Sequence, residues 1–316
     1  MPEILFIKTS SLGDVIHQMP AVTEAQSHLP DARFAWVVEE AFAPLVGLHP
    51  AVDTVIPAPI RRWRRNLAAW SAWRDLRSFV ETLRAHPYDA IIDTQGLLRT
   101  GILSKLARGR RHGYDHDSIR ERLAALFYDQ RHTVPRAMHA IARNRALTGR
   151  ALGYETDGPP DFGLDRASLA GVVRAPYAIL LHSTAQQSKE WPEENWRALA
   201  RILEQRIALV VPYGNDAERR RANRIGAGLE NTRVPVHRPI DEMAQMIAGA
   251  TFVVGVDTGI LHLAAALRVP LVAIFCSSKP QLTGPQGSGP IETLGDSGFT
   301  PSVEDVLAAV DRITLG

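Results

Sequence analysis

A chain of 316 residues is long enough for two domains of ordinary size. Its 45% hydrophobic and 22% charged residues, net charge of +2 and single cysteine, Cys276, describe a soluble globular protein and exclude a disulfide framework or a cysteine-built metal site. No apolar run approaches the roughly 20 residues that cross a bilayer. The segment MPEILFIKTS lacks a basic leader and a long apolar core, so the expected compartment is the cytoplasm.

The apolar run ILFIK (4–8) predicts a buried strand that leads, through KTSSLGD, into a helix over about 14–28. FAWVVE (34–39) and the weaker TVIPAP (54–59) read as the next strands. A helix follows near 66–85, where Trp70, Trp73, Leu76, Val80 and Leu83 recur at helical spacing, so both tryptophans are expected in the core. AIIDTQG (90–96) is a fourth strand running into a helix from about Leu98. Residues 148–176 are rich in Gly, Pro and Asp around Pro159–Pro160, which puts a domain boundary there: 1–160, then 161–316.

The second series begins with YAILLHS (177–183), a helix at 193–206 and IALVVPYG (207–214). Helices at 216–229 and 241–249, the strand TFVVGVD (251–257), a helix from about 259 and LVAIFC (271–276) follow. SVEDVLAAVDRI (302–313) is a last helix, available to pack back on the first domain. Strands alternating with helices predict βαβ units: an α/β chain of two Rossmann-like domains with parallel sheets, facing a cleft.

Charge is unevenly spread. Residues 99–145 hold eleven Arg or Lys against four acids, with His112, His116, His132 and His139 besides, whereas residues 171–316 are nearly neutral. Such a region suits nucleic acid, an anionic membrane or a phosphorylated substrate, or is simply a solvated arginine-rich face. No nucleic-acid reading motif accompanies it.

The second half carries three loops suited to a nucleoside diphosphate. In VVGVDTGILHLAAAL (253–267), Thr258 and Gly259 offer N–H groups at a helix start, with His262 one turn in. Asp257 beside them either caps the helix or holds sugar hydroxyls. In LLHSTAQQSKEWPEENW (180–196), Ser183 and Thr184 follow a strand and Lys189 adds a point charge. In VVPYGNDAERR (210–220), Glu218 is a candidate for ribose hydroxyls. None of the three is a Walker A or GxGxxG sequence, which argues against an NTPase or an NAD enzyme. The first-domain turn, KTSSLGD, instead presents a carboxylate, Asp14, to be read as a helix cap or as a general base. Ser10 and Ser11 shape that turn.

Taken together and in order, KTSSLGDVIHQMPA, IRRWRR, DTQGLLRT, KEWPEENW and VDTGILHLAAAL resemble the lipopolysaccharide heptosyltransferase family, type I, over nearly the full length. That resemblance implies a GT-B glycosyltransferase with no metal and no cofactor. It would move L-glycero-D-manno-heptose from ADP-L-glycero-β-D-manno-heptose to the Kdo of Kdo-lipid A, with inversion. It puts the catalytic aspartate at Asp14 and the donor contacts at Thr184, Lys189, Glu218, Asp257, Thr258, Gly259 and His262. Lys189 also stabilises the leaving diphosphate. Ser11, Arg61, Arg62, Arg64, Arg65, Arg120 and His139 are then the acceptor contacts, since arginine forks match carboxylate and phosphate. The protein is expected at the inner face of the cytoplasmic membrane, soluble or peripheral, with no nucleic-acid partner. Two donor-side positions depart from the family pattern, Ala185 and Arg238. Alternatives are another GT-B transferase of the lipopolysaccharide core, a sugar-nucleotide epimerase or a nucleic-acid-binding protein.

Overall fold

In the computed structural model, which describes residues 1–65, 70–173, 175–277 and 280–315, the chain forms two compact units, Met1–Gly163 and Leu164–Gly316. The first runs β1 (Glu3–Ile7), α1 (Leu12–Ile16), α2 (Met19–His28), β2 (Arg33–Glu39), α3 (Ala43–Val46), β3 (Thr54–Ala58), α4 (Ile60–Arg65), α5 (Trp70–Leu83), β4 (Tyr88–Asp93), α6 (Leu98–Leu106), β5 (Gly109–Tyr114), β6 (Gln130–His132) and α7 (Ala140–Leu152). Its strands are parallel in the order β3-β2-β1-β4-β5-β6. Central strands covered on both faces must be apolar throughout. Accordingly Leu5, Ile7, Val37 and Ile91 are fully buried and pack with Phe79 and Leu83.

Two expectations on this unit need correction. The helix predicted over 14–28 is two helices, broken at His17 and Gln18. Pro20 has no N–H to give the carbonyl four residues back, and its ring crowds that carbonyl, so the chain restarts with proline in the first turn of α2. Trp70 and Trp73 are not core residues: they are 84% and 61% exposed. At 3.6 residues per turn, Trp70 stands two and a half turns before the buried Phe79, on the opposite face of α5. Residues 66–69, the start of the predicted helix, lie outside the described residues.

The second unit runs α8 (Arg166–Ala170), β7 (Tyr177–Leu181), α9 (Glu193–Leu203), β8 (Ala208–Val210), α10 (Asp216–Ile225), β9 (Thr232–Arg233), α11 (Ile240–Ala248), β10 (Phe252–Val256), α12 (Gly259–Ala266), β11 (Leu271–Ile274), α13 (Pro280–Thr283), β12 (Ile291–Leu294) and α14 (Val303–Leu315). Its parallel sheet has the order β12-β11-β10-β7-β8-β9. Trp191 and Trp196 cross edge-on at 5.1 Å in its core, where Val306, Ala309, Val310 and Ile313 of α14 also pack. Counted within each unit, both sheets follow the order 3-2-1-4-5-6. The first and fourth strands are neighbours whose connections leave in opposite directions, and a crevice opens at their carboxyl ends. No described helix is long and apolar enough to cross a membrane.

The first unit ends under a buried histidine. Gly163 has φ +69°, and a Cβ there would lie 2.7 Å from His49 Nε2 and 2.8 Å from Thr23 Oγ1. His49 Nδ1 accepts from Ala51 N at 3.2 Å, so the proton is assigned to Nε2, which then donates to Thr23 Oγ1 at 3.0 Å. A second proton would break the Ala51 bond, and burial pushes the His49 pKa down to about 4. An unfolded histidine takes its proton near pH 6.5, so the unfolded chain binds more protons between about 6.5 and 4, and stability falls as pH drops through that window. Denaturation midpoints of His49→Gln should therefore fall less than wild type between about pH 7 and pH 4.5. An identical pH dependence would assign the proton uptake to other groups.

Candidate active site

The carboxyl end of β1 turns through Lys8 to Ser11 into α1. Asp14, half-buried, is the third residue of that helix and accepts from Ser11 N at 2.8 Å and Ser11 Oγ at 3.0 Å, a capping box. Both bonds go to Oδ2, so the cap does not use the other carboxylate oxygen.

Residues far away in sequence brace this turn. Gln95 Oε1 accepts from Thr9 N at 3.0 Å and Ser10 N at 3.2 Å, and Arg99 Nη2 donates to Ser10 Oγ at 2.9 Å. Gln95 is held beside Asp93, whose Oδ1 accepts from Gln95 N and Gly96 N and whose Oδ2 accepts from Tyr128 Oη at 2.7 Å. Burial pushes the Asp93 carboxyl up, against the pull of those donors. Lys8 is also buried, its Nζ donating to Thr94 O at 2.9 Å. Burial pushes its ammonium below the ordinary lysine value; Asp14 and Asp93 pull it back, and Arg143 and Arg120 reinforce the burial. Lys8 therefore lies within electrostatic reach of Asp14. Sequence reasoning missed Lys8, Gln95, Arg99 and Tyr128. The one local signal was a lysine closing an otherwise apolar strand.

The expected acceptor residues divide. Ser11 is in the capping box. Arg120 is exposed and within electrostatic reach of Lys8. His139 caps α7, its Nδ1 accepting from Ile141 N, and packs edge-on against His17, 5.6 Å between rings. On α4, Arg61 lies over the Phe42 ring at 5.3 Å and Arg62 bridges Glu40 and Asp75 at 3.4 and 3.2 Å, while Arg64 and Arg65 are exposed. Arg62 therefore ties α4 to its surroundings.

In the second unit the expected donor residues gather at the carboxyl ends of β7 and β10. Thr184 Oγ1 donates to Asp257 O at 2.8 Å, and Lys189 Nζ to Asp257 Oδ2 at 2.7 Å. Thr258 is the N-cap of α12, Gly259 its first residue, and His262 is buried one turn in. An eight-residue helix opening on Gly259 presents amide N–H groups and positive potential, which suit phosphate. Glu218, two strands along, accepts from Gly214 N and Asn215 Nδ2, both at 2.6 Å. Behind Thr184, buried His182 has its pKa pushed down to about 4, by burial first and then by Arg221. Among the described residues no group of three or more His, Cys, Asp or Glu side chains is placed to hold a metal ion.

Two doubly wound units, one with an acid on its switch-point turn and the other with an anion cradle, fit a nucleotide-sugar transferase. The model of glycosyltransferase family 9 (heptosyltransferase) matches residues 76–304, and the chain belongs to that family. It is 43% identical over 307 residues to lipopolysaccharide heptosyltransferase 1 of Pseudomonas aeruginosa, covering 95% of this chain and 86% of that one. The solved structure of Escherichia coli heptosyltransferase WaaC with ADP superposes with a TM-score of 0.93 at 36% identity, over 98% of this chain and 99% of that one. The same enzyme with ADP-2-deoxy-2-fluoro heptose gives 0.88 at 37%, with the same coverage.

Proposed function

We propose that this protein transfers L-glycero-D-manno-heptose from ADP-heptose to the Kdo of Kdo-lipid A in lipopolysaccharide core assembly. The observation that carries the reading is the likeness, over almost the whole chain, to an enzyme solved with ADP and with a fluorinated ADP-heptose. Asp14 takes the proton of the acceptor hydroxyl as its oxygen attacks the anomeric carbon from the face opposite the diphosphate. The bond from that carbon to the diphosphate oxygen breaks, its electron pair leaves with ADP, and the configuration inverts. Lys189 and the amides opening α12 meet the charge growing on the leaving group, and no metal takes part. Glu218 and His262 complete the donor site. Arg61, Arg64, Arg65, Arg120 and His139 receive the anionic acceptor.

The inner-membrane surface is the proposed place of work. Supporting it, Trp70 and Trp73 are exposed on α5, and Trp73, Leu76 and Val80 line a groove of about 570 Å³ bordered by Arg84, Arg108 and the Arg77–Glu81 ion pair. Indole and arginine together suit the boundary of an anionic bilayer.

Release of ADP from ADP-heptose should depend on de-acylated Kdo-lipid A and persist with a chelator present; release without the acceptor would overturn the transferase reading. Asp14→Asn keeps an oxygen for Ser11 but loses the charge, so turnover should fall about 10²- to 10⁴-fold with ADP affinity unchanged. Near-normal turnover would remove Asp14 as the base. Arg61→Glu with Arg64→Glu should raise the acceptor KM and spare ADP affinity; weakened ADP binding would refute an acceptor-side role. Trp70→Ser with Trp73→Ser should keep turnover on the de-acylated acceptor yet lose flotation with phosphatidylglycerol vesicles. Unchanged flotation would put the membrane contact elsewhere.

A further inference from the structure

The cation expected to hold the donor's diphosphate is already engaged. Lys189 Nζ lies 2.7 Å from Asp257 Oδ2; the lysine side chain is about a quarter exposed, while the aspartate's is nine-tenths buried. Thr184 Oγ1 fastens the backbone of Asp257 through its carbonyl, which fixes the stretch from which the carboxylate reaches Lys189. Asp257 also directly precedes Thr258, the N-cap of α12, so a negative charge stands beside the amides that would receive an anion. A site built only to hold a diphosphate would place no carboxylate there, since like charges in a partly buried site repel strongly.

We infer that Asp257 competes with the diphosphate for Lys189 and so keeps ADP from binding too tightly. This rests on the donor site proposed above. When the nucleotide arrives, Lys189 leaves the carboxylate for the phosphate oxygens; when the sugar has gone, the carboxylate retakes the lysine and ADP departs. Binding is an exchange of one anion for another at a single ammonium. The exchange lowers affinity for the product, and product release limits the rate of many enzymes.

The test uses ADP, which lacks the sugar, so contacts of Asp257 to heptose do not enter. Calorimetric titration of the full chain should show Asp257→Asn binding ADP about fivefold tighter or more than wild type, and stopped-flow should show slower ADP dissociation. In a Lys189→Gln background the gain from Asp257→Asn should shrink by at least half, because the competition has lost its object. Thermal melts accompany each variant, and Asp257→Ser replaces Asp257→Asn if the latter melts early. Equal or weaker ADP binding by a folded Asp257 variant overturns the inference. A gain of the same size in the Lys189→Gln background also overturns it, because plain repulsion would then explain everything. Failure of the wild-type chain to bind ADP would instead defeat the donor site itself.

Discussion

The amide oxygen of Gln95 takes the backbone N–H groups of both Thr9 and Ser10, and with the Lys8–Thr94 bond it fastens the end of β1 to the end of β4. The placing of Asp14 depends on this joint. A parallel sheet whose first and fourth strands are neighbours sends its connections away on either side, and nothing in the strand ladder itself closes the gap. Side chains must close it, or the turn before α1 would carry buried N–H groups with no acceptor. Each such orphan costs about 1–3 kcal/mol. The polar residues at the strand ends thus stabilise the fold and aim the carboxylate at once.

The second unit meets the same topological problem with different chemistry. Asp-Thr stands at the carboxyl end of both fourth strands, Asp93–Thr94 with Asp93 the last residue of β4 and Asp257–Thr258 just past β10. In the first unit the aspartate turns inward, is fully buried and accepts from Tyr128 and two backbone amides. In the second the aspartate is also buried but pairs with Lys189, whose side chain is about a quarter exposed. One crevice is closed by hydrogen bonds of Lys8, Asp93, Gln95 and Tyr128, with Arg99 donating to the turn that leads to Asp14. The other is spanned by the Lys189–Asp257 ion pair.

Much of this architecture is readable from residue order. The central strands β1, β2, β4, β7, β10 and β11 are apolar runs because both of their faces are covered, and the turns bearing Asp14 and Thr258 stand out by composition. Strands β5, β6, β9 and β12 escape such reading because they are short or polar: GRRHGY and QRH carry their own charges, and β6, β9 and β12 lie at sheet edges. Spacing misplaces Trp70 and Trp73 because a helix with large apolar residues on two faces gives no sign of which one the sheet takes. Lys8, Gln95, Arg99 and Tyr128 are illegible for another reason. Their roles lie in bonds between residues 35 to 89 positions apart, which only the folded chain brings together.

Gly113, on β5, has no functional group, yet it leans against this joint. A Cβ at that position would sit 2.2 Å from the Tyr128 ring, the ring whose hydroxyl holds Asp93. Any side chain there would lever the tyrosine away from the acid that orients Gln95. A change at this interior strand position would therefore pass through Tyr128, Asp93 and Gln95 to the turn that bears Asp14.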